Sequence, residues 1–266
     1  MSARTGLGPT SLPVQRAVRI DQPRKAFVAH LMGLPISIHV RGPRATSSAV
    51  ADLAEQAFAE LAADDATFST YRPDSTVSMI RRGELRLDLA GPRVQEVAAL
   101  CREAARRTND GFSAWLPGPD GEPAFDATGL VKGWAVEQAF THLRDRLPDH
   151  DLLINAGGDI ATYCGRSDTP AWRVAIEDPR DRSRTLQVIA LSTGAVATSG
   201  TAARGAHIVD PTTGAAAIGP LSATVIGPSL LWADVYATAV FVHGPAAAGW
   251  LRHLPDYRAI VVPVTA

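Results

Sequence analysis

Cysteine is nearly absent from the chain: among 266 residues only Cys101 and Cys164 occur. They lie far apart and form no CxxC, so neither a thiolate zinc site nor a disulfide framework can be read from them. A reducing compartment is the simpler expectation. An excess of positive charge is lacking too, since 26 Lys and Arg stand against 27 Asp and Glu. No net field is left to follow a phosphate backbone or an anionic lipid surface, and nucleic acid is not an expected partner. No apolar run approaches the roughly 18 to 20 residues of a spanning helix, so membrane insertion is not expected either. Familiar nucleotide and nucleophile motifs are also missing. TGLVKG (128 to 133) has neither the spacing nor the hydroxyl of a P-loop, INAGGDI (154 to 160) lacks the third glycine of a dinucleotide fingerprint, and ATSGTAARG (197 to 205) contains no G-x-S-x-G.

What is present suits one globular unit. The chain is 46% hydrophobic, and its length is near the upper size of a single compact domain. Residues 1–25 carry Arg4, Arg16, Arg19, Arg24 and Lys25 against Asp21 alone, with no apolar core followed by a cleavage site. This segment is expected to be a flexible leader, residues 26–266 a single domain, and the location cytoplasmic. AFVAHLMGLPISIHVRG (26 to 42) alternates from Ile36 and predicts a strand ending in a turn at Gly42-Pro43. SSAVADLAEQAFAELAADDATF (47 to 68) predicts a helix capped by Ser47 or Ser48 and ending near Asp64 or Asp65. LRLDLAG predicts a short strand, 92–108 a second helix, 109–123 a turn-rich stretch, Gly129 a turn, and 133–147 a third helix. DLLINAGGDIATYCG (151 to 165) reads as a strand broken at Gly157-Gly158, and WRVAIEDP, LQVIALSTGAVATSG, HIVDP and SATVIGP add further strands. LWADVYATAVFVHG (231 to 244) has helical spacing, and YRAIVVPV closes the chain as a strand. Helices and strands in segregated runs predict an α+β fold.

Several residues invite a chemical reading, each beside a plainer one. Asp234 and Thr238 are four apart on a predicted helix and share a face. A carboxylate and a hydroxyl are hard oxygen donors suited to Mg2+, yet an Asp near a helix start and a Thr bonding its own backbone are also ordinary structure. In FDATGLVKG (125 to 133), Asp126, the Gly129 carbonyl and Lys132 suit a phosphate or a cation, or simply form a strand-to-helix connection. GGDI (157 to 160) is a tight turn or a place where a ligand meets backbone. Tyr71 beside a Pro-Asp turn stacks on a planar ring or packs, and Met32 fills a core gap or touches a ligand. HIVDPTTG (207 to 214) offers His207, although Pro211 and Gly214 read first as turn formers.

In order along the chain, MGLPISIHV, FSTYRPDSTVSMI, FDATGLVKGWAVEQAF, LINAGGDI, VATSGTAARGAHIVDPTTG and ATVIGPSLLWADVYATAVFV resemble the successive signature segments of the ApbE-like FAD:protein FMN transferases, over about residues 30 to 245. The resemblance implies an α+β fold of two intimately packed lobes of antiparallel sheet and helices, with FAD held between them and Mg2+ at its pyrophosphate. It implies metal ligation by Asp234, Thr238 and the backbone carbonyl of Gly129, and a flavin-nucleotide site lined by Met32, Tyr71, Asp126, Lys132, His207 and Ile208. The implied reaction moves FMN from FAD to a threonine hydroxyl of an acceptor flavoprotein and releases AMP, with Asp234 and His207 as catalytic residues. His207 would take the acceptor proton or hold a phosphate oxygen. Hydrolysis of FAD to FMN and AMP, or binding of FAD without catalysis, are the alternatives. The chain departs from the family pattern at GFSAWLPG, where Ser113 stands in place of an acidic residue, and at Thr201-Ala202-Ala203.

Overall fold

A computed structural model describes residues 22–117, 121–201, 205, 208–244 and 247–264, without the side chains of 248 and 249. The chain opens with a hairpin of β1 (Arg24–Leu31) and β2 (Leu34–Arg41), joined at Met32-Gly33 with φ of 53° and 72°. Positive φ at both central residues matches the right-handed twist of the flanking strands. Helix α1 (Ser48–Phe68) is capped by Ser47, whose hydroxyl accepts from Val50 N. A short α2 (Thr76–Arg81) follows, capped by Ser75. After α3 (Pro92–Arg107) come the short strands β3 (Trp115–Pro117) and β4 (Pro123–Phe125), then α4 (Thr128–Arg146). The hairpin β5 (Asp151–Ala156) and β6 (Asp159–Cys164) turns at Gly157-Gly158, both at positive φ as a tight turn requires. Strands β7 (Trp172–Asp178) and β8 (Asp181–Leu191) form a separate hairpin, and β9 (Gly194–Gly200), β10 (Ser222–Gly227), α5 (Leu230–His243), α6 (Ala247–Leu251) and β11 (Arg258–Val262) complete the described fold.

Seven strands form one antiparallel sheet in the order β1-β2-β5-β6-β9-β10-β11. The alternation of each strand sends one set of side chains toward the helices: Ile36, Ile38, Leu152, Ile154, Ala161, Ala197 and Val225 pack in one core with Leu61, Trp134 and Val235. Val196 and Ile226 point to the other face, where Val174, Ile176 and Ile189 of the β7–β8 hairpin cover them. Helix α5 is buried on nearly all sides, as its unbroken apolar composition demands. The α+β class expected from the sequence is the one observed. Among the described residues, no helix is long and apolar enough to cross a membrane.

Four local expectations fail. LRLDLAG is not a strand; Leu87–Leu89 is a single 3-10 turn, with Arg86 and Asp88 paired at 2.6 Å and Gly91 starting α3. Helix α1 does not stop at Asp64 or Asp65 but runs to Phe68, because Asp64 is buried under a two-pronged contact from Arg93 at 2.6 and 2.7 Å. Gly129 is no turn: it lies in the first turn of α4, where a side chain would meet Phe112 at 3.0 Å. The HIVDP stretch forms no strand within the described residues, only a bridge between Val209 and Ala216. The single strand expected over 26–42 is instead two, β1 and β2, which the Met32-Gly33 turn divides and which pair along their whole length.

Candidate functional site

The start of α4 is fixed from outside the helix. Asp126 accepts from Thr128 N at 3.0 Å and from the Thr128 hydroxyl at 2.6 Å, which satisfies a helix-terminal donor. Its second oxygen receives Arg81 Nη1 of α2 at 2.8 Å. Helix α5 is then registered on α4. Glu137 of α4 accepts from Leu231 N at 2.9 Å and from the Ser229 hydroxyl at 2.8 Å, placing a carboxylate at the positive end of α5. Ser229 in turn caps Trp232 N at 3.2 Å. With α5 held there, Asp234 arrives one turn along, opposite Lys132 and Gly133, and Thr238 one turn later, beside Ser199 of β9.

At this seam the charged groups converge. Lys132 Nζ contacts the Asp159 carboxylate and lies 3.4 Å from Asp234 Oδ2. Both carboxylates are nearly sealed from solvent, with 4% and 6% side-chain exposure, while Lys132 keeps 20%. Asp159 is anchored through its other oxygen by Thr198 N of β9 at 3.0 Å. Thr238 Oγ1 and Ser199 Oγ are 3.1 Å apart. Gly133 allows the helices to approach so closely: a Cβ there would meet Asp234 Oδ2 at 3.0 Å. Two buried carboxylates around one ammonium sum to one negative charge over these three groups, and moving such charges out of water costs several kcal/mol each. A cation or the donors of a bound anion's partner ions are the natural complement.

Among the described residues no three His, Cys, Asp or Glu side chains cluster to hold a metal. A cation here would be held by one carboxylate, the Thr238 hydroxyl and backbone or substrate oxygens, the sparse donor set that Mg2+ tolerates because it keeps waters and binds phosphate. The residues present therefore fit Mg2+.

The expected site residues do not all come together. Lys132 and Asp234 lie 3.4 Å apart, and Thr238 follows one turn later on α5 with its hydroxyl against Ser199. Gly129 sits one turn before Lys132 on α4, and Asp126 immediately precedes that helix. Met32 lies in the β1–β2 turn, at the end of the sheet that also bears Gly157-Gly158 and Asp159, since Gly157 N donates to Pro35 O at 3.3 Å. Ile208 is buried in the main core, with its carbonyl accepting from Ala217 N. Tyr71 projects with 95% exposure from the turn before α2 and has no described contact to the seam. His207 lies outside the described residues. In the described turn that follows, Asp210 accepts from Thr212 N at 2.8 Å through its side chain and from Gly214 N through its carbonyl, and Gly214 sits at φ 70° against Pro117. Pro211 and Gly214 thus lie in a turn, the plainer half of the reading of HIVDPTTG. Ser113, at the family departure, spends its hydroxyl on Trp115 N and O.

Sequence reasoning missed Asp159, Ser199 and Glu137 at the seam, and Arg81 at the start of α4. Asp159 left one trace, a carboxylate immediately after a Gly-Gly turn; the others are isolated polar residues whose partners lie far along the chain.

The ApbE family model matches residues 114–261, more than half of the chain and all of the seam. The chain belongs to the ApbE family. Among curated ApbE relatives, the FAD:protein FMN transferase of Vibrio cholerae is 33% identical over 129 residues, 45% of this chain and 38% of that protein. That of Klebsiella pneumoniae is 35% identical over 133 residues, again 38% of its length. The chain therefore spans less than half the length of these two in the matched region. The Escherichia coli K12 transferase is 27% identical over 257 residues, covering 74% of this chain and 73% of that one. The ApbE fold is shared with the solved flavin transferase ApbE of Vibrio cholerae, at TM-score 0.74, 21% identity and coverage of 92% and 94%. The apo Pseudomonas stutzeri flavinyl transferase ApbE superimposes at TM-score 0.76, with 21% identity and 92% of each chain covered.

Proposed function

We propose that this ApbE-family protein is a Mg2+-dependent enzyme that transfers FMN from FAD to a threonine hydroxyl of an acceptor flavoprotein, releasing AMP. The observation that carries the reading is the pairing of Lys132 on α4 with the buried Asp234 on α5, with Thr238 one turn further along α5 against Ser199. The names of the curated relatives support it. Asp234, Thr238 and the Gly129 carbonyl would hold the metal. Met32, Tyr71, Asp126, Lys132, His207 and Ile208 would border the flavin nucleotide. As a helical residue Gly129 aims its carbonyl along the axis of α4, so it would serve the cation only where its oxygen is shared.

In this scheme the acceptor oxygen forms a bond to the FMN phosphorus while the bond from that phosphorus to the AMP oxygen breaks. The proton leaves the acceptor hydroxyl for His207, and AMP departs as a phosphate. Mg2+, when held by Asp234 and Thr238, would supply charge neutralisation for the pyrophosphate. Lys132 would add a positive charge beside the same oxygens, next to carboxylates that are nearly sealed from solvent, where such electrostatics count most. Exposed Tyr71 offers an aromatic face to a flavin or adenine ring. The free thiols, with Cys101 buried, suit an acceptor met in the cytoplasm.

The test is to incubate the protein with FAD, Mg2+ and a flavoprotein bearing a candidate threonine, then to read flavin fluorescence on the denatured acceptor. Covalent label with stoichiometric AMP supports the reading; AMP and free FMN without label would make the protein a pyrophosphatase. His207→Ala should lose transfer, and full transfer with an unchanged pH profile would remove His207 from the mechanism.

A further inference from the structure

Asp159 is not among the residues assigned above to metal or flavin, yet it makes the closer of the two carboxylate contacts to Lys132. Its side chain is immobilised at both ends. Oδ1 accepts from Thr198 N on β9 at 3.0 Å, Oδ2 faces the ammonium, and the residue is 3% exposed. Asp234, by contrast, stands at 3.4 Å from the same ammonium and is the group a divalent cation would claim. Lys132 spans the gap on a flexible four-carbon stem, so its charged end goes wherever the stronger counter-charge holds it.

We infer that Asp159 is a positioning residue that holds Lys132 in the seam when Asp234 is drawn to a divalent cation. The inference rests on the metal assignment proposed above. In the metal-free protein Lys132 shares its charge between both carboxylates and competes with the cation for Asp234. When the cation enters, it repels the ammonium, and an opposite charge within about 4 to 6 Å is needed to keep that ammonium in place and charged. Asp159 supplies it from a backbone-anchored position, so Lys132 gives up Asp234, remains beside the site, and faces the incoming phosphates.

Asp159→Asn keeps an acceptor for Thr198 N and removes the charge. With Asp159 neutral, Lys132 turns wholly to Asp234, and Mn2+ affinity measured by titration without FAD is expected to fall about tenfold. Lys132→Met removes the competitor and is expected to tighten Mn2+ binding. The deciding measurement is the double variant. If Asp159 acts through Lys132, the Asp159→Asn effect on Mn2+ affinity vanishes in the Lys132→Met background. A loss of the same size in both backgrounds means a direct field effect of Asp159 on the cation and overturns the inference. Thermal melting of each variant without metal confirms that folded proteins are compared. A wild-type protein that binds no Mn2+ would defeat the metal assignment itself as well as the inference, whereas binding without coupling would defeat the inference alone. In the metal-loaded protein, Asp159→Asn should also weaken FAD binding, read by flavin quenching, while Asp159→Glu recovers part of it.

Discussion

Gly133 of α4 lies directly against Asp234 of α5, so that a Cβ at 133 would come within 3.0 Å of Oδ2, 3.1 Å of the Asp234 Cβ and 3.3 Å of the Leu230 carbonyl. In an exposed helix, glycine to alanine stabilises by about 1 kcal/mol. Here the new methyl meets backbone and a Cβ that have nowhere to go, and overpacking of this kind costs about 1 to 3 kcal/mol. Gly133→Ala is expected to lower stability in denaturant titration and to weaken Mn2+ binding, because relief comes by displacing the Asp234 carboxylate from its place in the seam. A stabilised variant with unchanged metal affinity would show that the seam is looser than the geometry describes.

Asp126 and Arg81 make a second pair whose two halves should behave differently. Asp126 satisfies helix-terminal donors, so Asp126→Ala should cost about 1 kcal/mol of stability as a lost cap. Arg81 contributes an ion pair at 36% and 22% side-chain exposure, and partly exposed pairs contribute about 0 to 1 kcal/mol. Arg81→Ala should therefore leave unfolding nearly unchanged. If the first turn of α4 borders the nucleotide, both variants raise the KM for FAD; equal stability losses in the two would contradict the capping account.

The contact between Arg93 and Asp64 predicts an asymmetry. Arg93 is half exposed and lies 4.5 Å over the Trp134 ring, while Asp64 keeps 2% side-chain exposure. Removing Asp64 leaves an arginine that water can still reach. Removing Arg93 strands a buried carboxylate, a loss on the order of 3 kcal/mol. Unfolding by urea should rank Arg93→Ala as the more harmful change, and the reverse order would mean that Asp64 finds another donor.

Burial pushes the Cys101 thiol from its ordinary 9.0 up to about 12. Burial likewise pushes the Tyr257 hydroxyl from 10.0 up to about 12. In both cases the folded protein holds a proton that the unfolded chain releases. Their stabilising contribution is complete below about pH 9 and is lost as pH rises toward 12. Melting temperature should fall across that window, and Cys101→Ala should flatten part of the slope while lowering stability at neutral pH. A slope unaffected by the substitution would place the alkaline sensitivity elsewhere.

What the sequence made legible was what local chemistry decides. The apolar spacing of 47–68, the Ser47 cap, the Gly157-Gly158 turn and the Asp234/Thr238 pairing on one helix face all appear in the structure. The family resemblance also brought Lys132 to the same site. The missed features depend on partners distant along the chain. Asp64 reads as a helix end until Arg93, 29 residues later, covers it. Gly129 reads as a turn until Phe112 explains why a side chain is excluded from a helix. Met32 is an unusual residue for positive φ, so its hairpin gave no turn signal. Asp159 meets Lys132 only because β6 and α4 stack across 27 residues of separation, and no periodicity encodes that contact.

The most direct test of the central claim is acceptor labelling by Asp234→Asn beside the wild type, with FAD and saturating Mg2+. The account predicts flavin fluorescence on the acceptor for the wild type, and none above background for a folded Asp234→Asn that no longer responds to Mg2+. Labelling by Asp234→Asn at the wild-type rate and with the wild-type Mg2+ dependence would contradict it.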